Sequence, residues 1–270
     1  MTRSLATAGP SLPKYIFVAR LAFLQGSAEG AALLGRVIFY GVILLVFSRL
    51  WLAVLEGGSL PGVTATECLW YLAITEWVAL SQPASHLDIE REVRGGDVAY
   101  RVARPISYVG ARLAEGAGEV VFRFSVLVPV GVGFAYALGG GLSADASALW
   151  LSVPLALAAA LLLMTFHVAI GLMAFWLDDV SPVYWVWQKL LFVLGGLMLP
   201  LQVYPSWLRA IAAWTPFSAM LHGPGTVAFG VGAEVLTETA LRLAVWFALA
   251  LLLLGWIYRA GLRRLEVGGG

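Results

Sequence analysis

From residue 147 to residue 177 this chain contains no Asp, Glu, Lys or Arg. A segment of about 20 apolar residues is long enough to cross roughly 30 Å of hydrocarbon as a helix. Such runs recur along the chain, which sets its solvent. A lipid interior offers no water to a backbone N–H or C=O, so a spanning segment must satisfy its own backbone. The runs are long rather than ten-residue alternations, so helices are expected and a barrel is not. Composition agrees: 12% of residues are charged and the mean hydropathy is +0.86, whereas soluble domains carry about 25% charged residues. The expected fold class is an all-α integral membrane protein forming a single transmembrane domain over 1–270.

Hydropathy places six spans near 33–55, 64–82, 114–138, 147–177, 183–200 and 238–260. "EGGSLPG" (56–62) and "GGGLSAD" (139–145) are Gly- and Pro-rich turns, and "DDVSP" (178–182) is a short acidic one. Ahead of the spans, residues 11–25 contain "YIFVARLAFL", interrupted by Arg20 and preceded by Lys14. This is not the pattern of a cleaved signal. It predicts an amphipathic helix at the membrane interface.

Lys and Arg set the orientation, because short cytoplasmic loops retain them. With a cytoplasmic N-terminus, the inner side receives Arg3, Lys14, Arg20, Arg91, Arg94, Arg101, Arg104, Arg112, Lys189, Arg259, Arg263 and Arg264. The outer side receives Arg209, and Arg36, Arg49, Arg123 and Arg242 lie within or beside spans. Both termini are therefore expected in the cytoplasm. Trp51, Trp70, Trp150, Trp207 and Trp214 are expected near the outer headgroups, and Trp176, Trp185, Trp187 and Trp256 near the inner ones.

The charge that the spans exclude is concentrated between the second and third. "DIEREVRGGDVAYRVARP" (88–105) holds Asp88, Glu90, Arg91, Glu92, Arg94, Asp97, Arg101 and Arg104. Ser85 followed by Asp88 suggests a capping box. Glu90 and Arg94 stand four apart, a helix-supporting pair, and Gly95-Gly96 is a stop signal. A short polar helix over 88–96 follows, then a basic segment.

Within the fifth span, Gly195-Gly196 and Pro200 interrupt the helix before it has fully crossed. An apolar segment then follows, broken by Pro216, Pro224 and several glycines. Irregular backbone at membrane depth needs protein or a cavity around it. The segment 201–230 therefore predicts two short outer helices, 206–214 and 217–229, dipping back toward the membrane.

Intramembrane ionisable groups are candidate sites because each is costly in lipid. Arg112, Glu115, Glu119 and Arg123 are spaced to share one helix face. They form either a polar stripe on the inner half of a path or a cytoplasmic extension of the third span. Glu67, near an outer end, is read as wet. Glu76 lies deeper and could pair with Arg49. His167 lies mid-span, read as a buried histidine hydrogen-bonded to a neighbouring helix or as a proton-coupling group. Arg36 can snorkel to the inner surface.

Other chemistry is missing. No G-x-x-x-x-G-K-[ST], G-x-S-x-G or H-E-x-x-H motif occurs, so the chain itself has no phosphate cradle or hydrolase signature. His86, His167 and His222 are scattered and Cys68 stands alone, so no metal site is expected. A formal net charge of +1 gives no footprint for nucleic acid.

"IEREVRGGDVAYRVARPISYVGARL" resembles the first signature of a family of type-2 ABC transporter permeases, "I-x-x-x-I-R-x-G-x-L-x-x-x-L-x-R-P". Val98, Ala99 and Val102 are smaller than the leucines usual there. The segment 195–224 resembles the second signature, carried here by Gly195, Gly196, Pro200, Leu201, Pro205, Pro216, Phe217 and Pro224.

The resemblance implies a six-span exporter half without enzymatic activity of its own. It would work as a homodimer or beside a related second permease, in a bacterial inner membrane, on two ATP-hydrolysing subunits that bind ATP and Mg. It also implies that Asp88, Ile89, Glu90, Arg91, Glu92, Val93, Arg94, Gly95, Gly96, Asp97 and Arg104 form a coupling helix seated in the ATPase. Glu76, Arg49, Glu115, Glu119, Arg123 and His167 are the candidates for the translocation path. An apolar wall suits a lipid-like or amphipathic cargo. The competing readings are a stand-alone ion-coupled transporter or intramembrane enzyme, and a membrane anchor that transports nothing.

Overall fold

The structure is a computed structural model and describes residues 12–56, 63–102, 104–141, 146–229 and 232–268. The described residues are helical, with no strand among them. In chain order the helices are α1 (Leu12–Gly26), α2 (Gly30–Glu56), α3 (Ala65–Leu80), α4 (Ser85–Gly95), α5 (Asp97–Val102) and α6 (Tyr108–Gly139). They continue with α7 (Ala146–Leu172), α8 (Ser181–Leu194), α9 (Ser206–Ala213), α10 (Pro216–Met220), α11 (His222–Gly225) and α12 (Ala233–Gly268). The turns expected over 56–62 and 139–145 lie largely outside the described residues.

Each expected span coincides with a helix, but the helices are not equivalent. Four stretches are long and apolar enough to cross a membrane: Gly30–Val54, Tyr108–Gly139, Leu149–Phe175 and Glu234–Arg264. The third runs past the end of α7 through a 3-10 turn, Met173–Phe175. α3 has 16 residues and α8 has 14. At about 1.5 Å per residue, both fall short of about 30 Å.

α3 is short because it is encased. Cys68 through Val78 are all buried, and Trp70, Tyr71 and Trp77 are fully so. It packs against α2, α6, α7 and α11 and forms the axis of the bundle. Its N-terminus carries a capping box: the Thr64 hydroxyl accepts from the Glu67 N–H while the Thr64 N–H donates to Glu67 Oε2 at 2.7 Å. Glu67 therefore has a capping role beyond being wet. At the other end Arg36 Nη1 donates to the carbonyls of Leu80, at 2.6 Å, and Gln82. A guanidinium suits the partial negative charge of a helix C-terminus.

α6 is too long for the bilayer. Its 32 residues extend about 48 Å, so roughly 12 residues stand outside the hydrocarbon. α1 packs alongside this helix in the same direction. Tyr15 meets Gly110, Ala19 and Ala22 meet Gly118, and Gly26 meets Phe122. Glu29 then pairs with Arg123 at 3.1 Å. Small residues let two helix backbones approach closely. The side chains of Leu12, Ile16, Phe17, Leu21 and Leu24 face outward.

Several local expectations are corrected. Ser85 opens α4 from within its first turn; the cap position is Ala84, with no side-chain bond, so no capping box forms there. The basic segment after Gly96 is itself helical, as α5. The outer helix expected over 217–229 is broken into α10, α11 and a 3-10 turn, because Pro224 follows too soon for one run. Trp51 and Trp70 are buried rather than interfacial; Trp70 Nε1 donates to the Gly141 carbonyl at 3.0 Å. Trp150, Trp207, Trp214, Trp176, Trp185 and Trp256 are exposed.

The α1–α6 contact gives a sharp test. A Cβ on Gly118 would sit 2.1 Å from the Ala19 carbonyl oxygen, which is backbone and cannot rotate away. Gly133, on the same helix, has open space around it. Gly118→Val should therefore lower unfolding stability in detergent by about 1–3 kcal/mol. Gly133→Ala should leave it level or raise it slightly. Equal effects of the two would contradict close α1–α6 packing.

Candidate functional site

The charged stretch folds as an elbow, α4 then α5, hinged at Gly96. That residue has φ +77°, the left-handed backbone that glycine tolerates best. The Glu90–Arg94 pair forms at 3.5 Å with Glu90 largely shielded, and Arg91 reaches Asp88 at 3.3 Å in the open. Exposed pairs of this kind contribute little, about 0–1 kcal/mol. The elbow is held by its other face.

Glu92 is the centre of that face. Its carboxylate is 9% exposed as a residue. It accepts from Tyr108 Oη at 2.8 Å and Arg112 Nε at 3.0 Å, and it pairs with Arg112 Nη2. Arg101 of α5 closes on it at 2.7 Å. Arg112 also holds Glu115 at 2.7 Å. One acidic side chain from α4 thus joins α5 to the start of α6. The pairing is close, charge-assisted and shielded, which gives it more weight than a surface bridge. Further along α6, Arg123 pairs with Glu119 at 2.9 Å as well as with Glu29. The row Arg112, Glu115, Glu119 and Arg123 thus lies mostly in the part of α6 beyond one bilayer thickness, where it fastens α4, α5 and α1.

A second fastening is steric. Ile89 is fully buried, and a Cβ on Gly171 of α7 would fall 2.9 Å from the Ile89 Cβ. Val98 is buried and Val93 packs on the core. His86 stacks flat on Tyr184 of α8, ring centroids 3.7 Å apart. Burial pushes the His86 imidazole down to about 4, against the opposing pull of Asp88.

The residues expected to act together therefore divide. Ile89, Glu92 and Val93 face the protein and cannot touch a partner, because the elbow needs them for its own attachment. Arg91, Arg94, Gly95, Gly96, Asp97 and Arg104 face outward. Beside them the sequence reading passed over Leu87 (41% exposed) and Tyr100 (79% exposed). An apolar or aromatic residue inside a run of charges was the available signal.

In the second signature, Gly195 and Gly196 end α8, and Gly196 has φ +69°. A Cβ on Gly195 would meet the Leu191 carbonyl oxygen at 2.3 Å. The freed carbonyls are taken up by α3: Tyr71 Oη donates to Gly196 O at 2.6 Å and Thr75 Oγ1 to Leu197 O at 3.0 Å. Pro200 and Pro205 precede short helical turns, Pro216 starts α10, and Phe217 packs on Trp187 with centroids 4.6 Å apart. His222 also reaches the Tyr71 hydroxyl at 3.2 Å.

Glu76 and His167 come together on one cavity, described below, with Gln82, Tyr184 and Gln188. Arg49 is exposed, and among the described residues it forms no ion pair with Glu76. Among the described residues, the expected hydrogen bond from His167 to a neighbouring helix does not form. Both of its ring nitrogens are buried without a partner, and the ring packs against His86 and Tyr184. No cluster of metal-ligating side chains occurs among the described residues.

Residues 37–269 match a family model described as ABC-2 family transporter protein. The chain belongs to that family. No curated protein matches it significantly. This ABC-2 chain is thus a multi-pass membrane protein and the permease component of an ABC transporter. Permeases of the ABC-2 family generally work with an ABC ATPase subunit.

The Glu92 cluster can be separated from simple surface charge by a double-mutant cycle. Glu92→Ala leaves Arg112 and Arg101 facing each other and should destabilise the ABC-2 chain by about 3 kcal/mol. Adding Arg112→Ala should cost less than the sum of the singles, with a coupling of about 1 kcal/mol or more. Additive losses in chemical unfolding would mean that the cluster fastens nothing.

Proposed function

We propose that this protein is the transmembrane half of an ATP-driven exporter, and that the α4–α5 elbow is where a separate ATPase grips it. Two copies, or this chain and a related second permease, form the path in a bacterial inner membrane, with both termini cytoplasmic. The six helices α2, α3, α6, α7, α8 and α12 are its spans, the two short ones shielded from lipid by their neighbours and by 195–229. α1 lies at the inner interface, and α9 to α11 dip in from the outer side. ATP and Mg belong to the ATPase.

The observation that carries this reading is the two-sided elbow. Its outer face offers Leu87, Arg91, Arg94 and Tyr100 to water, while its inner face is fastened to α6 by Glu92 and to α7 by Ile89. A merely solvated loop needs no such fastening. A surface that must transmit force needs both a grip and a rigid root. An aromatic anchor rimmed by arginines suits a protein partner, with charge supplying register more than affinity. When the ATPases close, the elbow moves with α6 and α7, and the paired permeases pass between inward- and outward-facing arrangements. The apolar interior suits a lipid-like or amphipathic cargo moved outward from the cytoplasm or inner leaflet.

The test uses the full chain reconstituted with its ATPase. Tyr100→Ala together with Arg91→Glu and Arg94→Glu should leave insertion intact. It should lower permease-stimulated ATP hydrolysis by roughly tenfold or more, the size of one lost interface anchor. Undiminished stimulation by a correctly inserted triple variant would refute the docking role.

A further inference from the structure

Between α2, α3, α7 and α8 lies a cavity of about 240 Å³. Its walls are mostly apolar, and its polar lining is Glu76, Gln82, His167, Tyr184 and Gln188. Glu76 is 3% exposed, and among the described residues no cation pairs with it. Arg36 is engaged with the Leu80 and Gln82 carbonyls. Gln82 Oε1 is buried without a donor, because its amide nitrogen donates to Val78 O and Ala160 O. His167 brings two unpartnered ring nitrogens, one of which accepts when the imidazole is neutral. The Glu76 carboxylate, Gln82 Oε1 and one His167 nitrogen are thus acceptors without a donor on this lining, whereas Gln188 Nε2 already donates to the Tyr184 hydroxyl. Buried polar groups are ordinarily satisfied, so each such exception points to something that belongs there.

We infer that this cavity binds the protonated primary-amine headgroup of a membrane amphiphile. An ammonium carries three N–H donors and the charge that the Glu76 carboxylate lacks. Gln82 Oε1 and a His167 nitrogen take the remaining donors. The volume corresponds to several water molecules at about 30 Å³ each, enough for a headgroup but not for a folded chain. An anionic headgroup is excluded by Glu76 itself. The tail has an exit: Phe39 of α2 (55% exposed) and Met198 after α8 (42% exposed) both line the cavity and face the surface. The mouth therefore opens sideways between α2 and the end of α8, as suits a ligand whose tail stays in the lipid. That this ligand is cargo rests on the exporter reading above; its binding does not.

Full-length protein in phosphatidylcholine nanodiscs, without any ATPase, is titrated with dodecylammonium in a calorimeter, against empty nanodiscs. One saturable site per chain is expected. Dodecyltrimethylammonium, which has no N–H, should bind about tenfold or more weakly, as should butylammonium, which has no tail, and dodecyl sulfate should not bind. Glu76→Gln should lose about tenfold or more in affinity. Met198→Trp, which narrows the exposed mouth and leaves every polar group in place, should also weaken binding, so the test holds even if Glu76→Gln fails to fold. Any one of these results overturns the inference: no saturable site, equal binding of dodecyl sulfate, of butylammonium or of the trimethyl compound, or unchanged affinity in folded Glu76→Gln or in Met198→Trp. Loss of amine binding leaves the coupling role of the elbow standing, and undiminished hydrolysis stimulation by the elbow variant, with amine binding intact, counts against that role alone.

Discussion

A carboxylate held between two guanidiniums ties the wet part of this molecule to its oily part. Glu92 stands where α4, α5 and α6 meet, with Arg101 and Arg112 on it and Tyr108 donating to the same group. An α4 helix this polar has no reason of its own to stay against a membrane bundle. Glu92 supplies the electrostatic reason, and Ile89 against Gly171 supplies the steric one. Removing one member would leave uncompensated charge in a shielded place, which is why such clusters hold more firmly than surface pairs. The extension of α6 beyond one bilayer thickness gives the cluster its footing outside the hydrocarbon.

The same demand for satisfied polar groups shapes the opposite part of the bundle. The chain leaves its helix at Gly195-Gly196 and wanders through short turns to residue 229. It can do so because Tyr71 and Thr75 of the buried α3 donate to the carbonyls set free. The encased α3 thus serves two purposes: it is the axis of the core, and it completes the backbone of the broken segment. Around the Glu76 cavity the demand is not met from within, and that contrast makes the cavity noteworthy.

Much of this was legible in the sequence. Helical spans follow from run length, the elbow from its charge, and its stop from Gly95-Gly96. The break after α8 follows from glycines and prolines. Other features depend on contacts between distant residues and leave no local trace. Nothing in "SHLDIEREVRG" distinguishes Glu92, which turns inward, from Arg91, which turns out, until α6 is in place. Ser85 looked like a cap, but α4 begins one position earlier than a cap there requires. Trp51 and Trp70 looked interfacial because hydropathy reports depth and not whether protein or lipid surrounds a ring. Glu76 and His167 sit on separate helices, so only packing could reveal that they share a cavity while Arg49 faces elsewhere. The family signatures identified the elbow's position but not which of its residues face outward.

The central claim is that the elbow and α6 move as one body. Cys68, the single native cysteine, is buried, so spin labels at Ala99→Cys on α5 and Ser125→Cys on α6, both exposed positions, report their separation. Electron–electron dipolar spectroscopy on the complex with its ATPase, nucleotide-free and trapped with ADP and vanadate, should give the same distance distribution in both states. A distribution that shifts or broadens on trapping would show that the elbow slides over α6, and the Glu92 cluster would not be the link between them.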